Sequence, residues 1–241
     1  MNILVVSPHP DDEVLGCGGT ITKHVESGDN VHVVIMTNAS FADPELYPES
    51  QVATVRAEAK NAHKELGVHE THWFDFPAPM LDQYPQYKIA AALSKLIEQL
   101  QTEVMYIPHR GDLHLDHGVI YNASLVAVRP FPGQTVKEVH AYETLSETEW
   151  GHPASDSVFI PTLFVELNDK NILKKINAMQ FFKSQLKEFP NTRSIRSIKN
   201  LAEVRGLTIG CNYAESFSVV RILKTKSKKC TIRKSEYFNF G

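Results

Sequence analysis

Short apolar runs alternate with longer amphipathic stretches through the first half of the chain. Ile3-Leu4-Val5-Val6 is unbroken by polar residues and stops at Ser7-Pro8, which predicts a buried strand over 1–7. Val14, Leu15, Ile21 and Val25 then fall on one helical face; the helix can start at about Asp11, and Gly28 is placed to end it. A second strand is predicted over 31–37. Val52, Val55, Ala59, Ala62 and Leu66 step by three and four toward Gly67, predicting a helix over 50–66. A strand over 71–76, a helix carrying Ile89, Leu93, Leu96, Ile97 and Leu100, and a strand over 104–107 follow. A helix with Val119, Ile120, Ala123, Val126 and Ala127 inward closes this regular part.

Strand alternating with helix at this spacing predicts an α/β fold: a Rossmann-like, doubly wound, mostly parallel sheet with helices on both faces. In the order 3-2-1-4-5, strands one and four flank the switch point, and ligands bind at their carboxyl ends. Beyond Lys137 the pattern is less regular. It predicts strands over 139–144 and 158–166, then a helix capped by Asn168-Asp169 and carrying Ile172, Ile176, Met179 and Leu186. A helix over 197–205 and a late strand over 217–223 complete it. With no internal repeat and no Ser/Gly linker, 1–223 reads as a single domain and 224–241 as a basic tail.

Composition narrows the class. At 241 residues the chain can bury a full core, and 42% hydrophobic with 22% charged residues is ordinary for a soluble globular protein. No apolar run approaches the roughly 18 residues needed to span a bilayer, and no basic N-terminal region precedes a long apolar core, so a cytoplasmic location is expected. The net charge of −3 divides into +5 on residues 224–241 and −8 on the remainder, which argues against a nucleic-acid partner. The Lys-rich run within that tail reads as solvated surface. Cys17, Cys211 and Cys230 show no CxxC spacing, so reduced thiols are expected.

Two stretches interrupt the pattern where buried strands end. Ser7-Pro8-His9-Pro10-Asp11-Asp12-Glu13 follows strand one, and His109-Arg110-Gly111-Asp112-Leu113-His114-Leu115-Asp116-His117 follows strand four. Adjacent carboxylates repel and raise each other's pKa unless a cation neutralises them. His9, Asp12 and His117 around one zinc ion make a set with an open fourth position, a catalytic arrangement that Fe2+ or Mn2+ would also fit. Such a position lowers the pKa of water to about 7. Asp11 is then the natural general base, His114 is placed to donate a hydrogen bond to an oxyanion, and Asp116 to hold and charge an imidazole. Metal-assisted hydrolysis of an acyl group, with an amide favoured, is the reaction class.

Arg56 on the second helix and His109 are candidate substrate contacts. In an alternative reading, His109 and Asp112 help hold a second ion for phosphoester hydrolysis. A nucleotide-binding module is disfavoured, because HPDDE replaces GxGxxG and Thr37-Asn38 stands where an acidic ribose ligand is expected. A noncatalytic sugar-binding relative is disfavoured by the complete catalytic set. The run Gly16-Cys17-Gly18-Gly19 implies close backbone approach, either for packing of helix on sheet or toward a ligand.

Pro8-His9-Pro10-Asp11-Asp12-Glu13 and His114-Leu115-Asp116-His117 resemble the paired motifs of the PIG-L/LmbE family of zinc-dependent deacetylases, with Pro8 where the family usually has a small residue. Arg56-Ala57-Glu58, the segments from Tyr142-Glu143 to Glu149-Trp150, and those from Arg205-Gly206 to Phe217 resemble further parts of it. The resemblance implies removal of acetyl groups from a small-molecule N-acetylglucosaminyl compound. By it His9, Asp12 and His117 are metal ligands, Asp11 is the base, and His114 with Asp116 assists the tetrahedral intermediate. The Arg of the second helix can serve substrate binding.

Overall fold

The structure, a computed structural model, describes residues 1–154 and 157–224. Through the first half strand and helix alternate: β1 (Asn2–Ser7), α1 (Asp12–Glu26), β2 (Asn30–Asn38), α2 (Glu49–Leu66), β3 (Glu70–Pro77), α3 (Gln86–Leu100), β4 (Val104–Pro108) and α4 (Leu115–Ala127). Then come β5 (Glu138–Tyr142), β6 (Leu163–Leu167), α5 (Asp169–Phe181), α6 (Ile195–Ile209) and β7 (Tyr213–Ile222). One sheet runs β3-β2-β1-β4-β5-β7-β6. Its first five strands are parallel in the expected doubly wound order, and β7 pairs antiparallel with both β5 and β6.

Central strands covered on both faces must be apolar on both, which is why β1 reads as an unbroken run. Ile3 and Val5, with Val31, Val33 and Ile35, pack on the side of α1, α2, α5 and α6. Leu4 and Val6, with Val34 and Met36, pack toward α3 and α4.

The irregular half departs from its predicted boundaries for local reasons. The sixth strand starts at Leu163 rather than 158, because Pro161 lacks the N–H a ladder needs. Helix α5 stops at Phe181, where Phe182 turns its N–H back to the Met179 carbonyl. Leu186 therefore lies beyond the helix while still packing on the core, which is how it joined the periodic pattern. β7 begins at Tyr213, earlier than its apolar run, since its first residues include the buried polar Glu215 and Ser216. The tail 224–241 lies outside the described residues except for Lys224.

The glycine run of α1 serves packing. A Cβ on Gly16 would lie 2.3 Å from the Tyr142 ring, and one on Gly19 the same distance from the Leu167 side chain. This approach lets α1 sit on an ion pair. Lys175 Nζ donates to Glu215 Oε1 at 2.6 Å and to the Leu15 carbonyl at 2.7 Å, while Glu215 accepts the N–H groups of Gly19 and Thr20. Both side chains are only 4% exposed. Lys175→Met, which leaves the carboxylate buried without its cation, should cost about 3–5 kcal/mol in urea denaturation. The double variant Lys175→Met/Glu215→Gln should recover part of that loss.

Candidate metal centre

The chain leaves β1 through Pro8 and Pro10 and enters α1 at Asp12, with Asp11 as N-cap at φ 115. That left-handed conformation is rare outside glycine and costs on the order of 1–3 kcal/mol, so neighbouring contacts must hold it. Glu13 supplies them. Its Oε2 accepts the Ser7 hydroxyl at 2.7 Å and the Asp11 N–H at 3.2 Å, and its Oε1 meets His63 Nε2 at 2.9 Å. His63, on α2, is braced in turn by Thr71 Oγ1. The sequence reading quoted Glu13 in the motif but assigned it no role.

Across the switch point, His114 is the N-cap of α4, so Asp116 and His117 fall in its first turn. His9, Asp12 and His117 bring ligand atoms within 4.8 Å of one another. Asp12 Oδ2 lies 3.3 Å from His9 Nδ1 and 3.2 Å from His117 Nε2. His117 Nδ1 is 2.7 Å from Asp112 Oδ2, and Thr148 donates to the other Asp112 oxygen. This carboxylate fixes the imidazole so that Nε2 faces Asp12, as in a carboxylate–histidine–metal arrangement. Both Asp112 oxygens are thereby engaged, so Asp112 does not pair with His109 around a second ion.

Three buried polar atoms at this point have no hydrogen-bond partner: His117 Nε2, Asp12 Oδ1 and Asp11 Oδ2. Each such atom costs about 1–3 kcal/mol when left unsatisfied. A divalent cation would satisfy His117 Nε2, and two imidazoles with a carboxylate suit zinc, with Fe2+ and Mn2+ as alternatives. The residues present fit the ion that the sequence implied.

Electrostatics agree. Burial alone would lower His9 and His117, but Asp116 and Asp12 push His9 up to about 9, and Asp12 with Asp112 pushes His117 up to about 10. Burial would raise Asp12, yet His117 and His9 hold it well below the usual carboxylate range. Without a cation, protons on the imidazoles balance the carboxylates; a bound metal would replace them. Asp11 is raised well above its ordinary value, chiefly by burial, with the Arg193 guanidinium opposing.

The imidazole that Asp116 reaches is that of His9, in the other motif. Asp116 Oδ2 is 3.1 Å from His9 Nε2 but 3.9 Å from His114 Nδ1, and its Oδ1 accepts the Leu81 N–H. His114 Nδ1 accepts the Asp116 N–H, so a neutral ring carries its proton on Nε2. Burial and the nearby His9 lower His114 to about 4, which keeps it neutral at pH 7.

A cleft of about 250 Å³ opens over this centre, lined by His9, Asp11, Tyr47, Arg56, His114 and Arg193 among others. Arg56 is paired with Asp75 and lies over the Trp73 ring at 5.1 Å, and its buried Nε has no partner. His109 sits elsewhere. It is buried, with Nε2 2.7 Å from the Ser157 carbonyl and its ring edge-on to Phe159, and it does not line the cleft. Arg193 was not anticipated. It donates from Nε to Ser146 Oγ and from Nη1 to Gln185, with Nη1 3.4 Å from Asp11 Oδ2. It lies in an irregular polar loop, where no periodicity or motif marks it.

Comparison with known proteins follows this geometry. The profile of the family described as PIG-L: GlcNAc-PI de-N-acetylase matches residues 4–128. The chain is 27% identical over 186 residues to the uncharacterized deacetylase YaiS of Escherichia coli strain K12, covering 76% of this chain and 90% of that one. It is 26% identical over 246 residues to the 1D-myo-inositol 2-acetamido-2-deoxy-alpha-D-glucopyranoside deacetylase of Mycobacterium sp. strain JLS, covering 83% and 79%. In fold it resembles N,N'-diacetylchitobiose deacetylase from Pyrococcus horikoshii, with a TM-score of 0.72 and 22% identity over 91% of this chain and 84% of that one.

The raised imidazoles give metal-free protein a signed pH dependence. Their folded pKa values exceed the unfolded value of about 6.5, so their stabilisation is full below that pH and is lost as pH rises through about 9 and about 10. Urea midpoints of chelator-treated protein should fall between about pH 7 and about pH 10.5, and His117→Ala should shrink the fall.

Proposed function

The chain belongs to the PIG-L family of de-N-acetylases, and on that footing we propose that it hydrolyses the acetamide of a small N-acetylated amino-sugar compound, using a divalent ion, with zinc favoured. Residues 1–223 carry the activity in this reading, and the tail is not needed. The observation that carries the proposal is the grouping of His9, Asp12 and His117, whose ligand atoms lie within 4.8 Å of one another, beneath a cleft that His9, Asp11 and His114 line. Among the described residues no helix is long and apolar enough to cross a membrane.

His9, Asp12 and His117 would hold the ion, which when bound polarises a carbonyl and lowers the pKa of water. Asp112 keeps Nε2 of His117 available to it. Asp11 Oδ2 takes the proton as the water oxygen adds to the acyl carbon, and delivers it to the sugar nitrogen as the C–N bond breaks. Acetate and a free amine leave. Arg193 opposes the burial that raises Asp11 and so favours its ionised form. His114 donates from Nε2 to the acyl oxygen as negative charge develops there, and Asp116 positions His9. Arg56, which lines the cleft and is held by Asp75, contacts hydroxyl groups of the sugar. His109, buried against Ser157 and Phe159, takes no part.

Acetate release from N-acetylglucosaminyl compounds by zinc-loaded protein tests the reading, and no release from any of them with the ion bound would overturn it. Asp11→Asn should keep the ion and lose about 10²–10⁴ in turnover; unchanged turnover would remove Asp11 as base. His114→Ala should lose about 10²–10³ in kcat. Asp112→Asn, assayed by competition with a chelating dye, should weaken ion binding about 10–100-fold.

A further inference from the structure

A second group of imidazoles lies far from the cleft, where β2 and β3 begin. The parallel register pairs His32 with Glu70 and Val34 with His72, so His32, Glu70 and His72 share the sheet face that looks toward α3. The proposed catalytic groups follow the opposite, carboxyl ends of the strands. Asn38 at the cleft lies six positions along β2 from His32, about 20 Å of extended chain. His69, Glu70 and His72 have no part in the function proposed above.

Three atoms of this group face one another. His32 Nδ1 is 3.2 Å from His72 Nε2, and Glu70 Oε2 is 4.0 Å from the first and 3.8 Å from the second. A point in their plane is about 2.1 Å from all three atoms, inside the usual zinc–nitrogen and zinc–oxygen range of about 2.0–2.2 Å. His32 Nδ1 and His72 Nε2 are within hydrogen-bond distance of each other, whereas the carboxylate oxygen stands too far from either nitrogen, so hydrogen bonding does not account for the placement of Glu70. Burial, reinforced at His32 by the neighbouring imidazoles, lowers both histidines from their ordinary value, which favours the neutral ligand form. The exposed His69 ring, 5.2 Å from that of His32, stands beside the group.

We propose that His32, Glu70 and His72 form a second, noncatalytic site for a borderline divalent transition ion such as zinc, which clips edge strand β3 to β2. Two imidazoles and one carboxylate select zinc, copper or nickel over magnesium or calcium. Strand β3 has a neighbour on one side only, so a bond to β2 through side chains restrains a strand that the ladder holds by a single edge.

Zinc content after dialysis against dilute zinc chloride, by elemental analysis of the full chain, tests this. His72→Gln is compared with wild type, and the same pair is compared again in a His117→Ala background. Each comparison should show a loss of about one ion per chain, with deacetylase activity unchanged in His72→Gln itself. Glu70→Gln, at an exposed side chain, guards against a folding defect and should weaken zinc binding at this site about 10-fold or more. Zinc should also raise the melting midpoint of His117→Ala but not of His117→Ala/His72→Gln. Equal zinc content with and without His72 in both backgrounds, or equal melting shifts, would overturn the site.

Discussion

Three consecutive carboxylates, those of Asp11, Asp12 and Glu13, are buried at the carboxyl end of β1, and each is neutralised differently. Glu13 is bound by the Ser7 hydroxyl and the His63 imidazole. Asp12 lies between His9 and His117, and Asp11 faces Arg193. Isolated buried charges would cost many kcal/mol, so these partners must arrive together. They come from α2, α4 and the loop after α5, which ties the packing of both halves of the chain to one corner of the sheet.

That constraint also divides the labour among the acids. Glu13, fully partnered, fixes the backbone and holds Asp11 in its left-handed conformation. Asp12 Oδ1 and Asp11 Oδ2 have no hydrogen-bond partner, although the Arg193 guanidinium stands 3.4 Å from the latter. Asp112 and Asp116 brace the imidazoles from behind, so the ligand nitrogens are oriented by carboxylates that themselves have other hydrogen bonds.

Much of this was legible before any coordinates. The apolar runs of β1, β2 and β4 are long and uninterrupted because both faces of the sheet are covered, and the doubly wound rule then places both motifs at one crevice. His9, Asp12 and His117 meet as their positions after β1 and β4 imply. Arg193 was not legible, since a loop residue chosen by its distance to Asp11 leaves no periodic trace. Nor was the target of Asp116, because adjacency in sequence suggests His114 while the first turn of α4 aims the carboxylate at His9. His109 stood in a conspicuous motif, but Ser157 from a distant loop claims its ring. The glycine run was ambiguous between packing and ligand approach until Tyr142 and Leu167 were seen against it.

β7, last in sequence of the strands among the described residues, lies between β5 and β6 in the sheet. On a ribosome, β5 therefore emerges with one edge unpaired and stays so until residues 213–222 follow. At synthesis rates of about 5–20 residues per second that interval lasts several seconds. All three proposed ion ligands precede it, whereas Arg193 and Glu215 fall within or after it. A nascent chain could thus capture its ion before its sheet is closed, and the open edge of β5 is where a chaperone or a second nascent chain would compete with β7.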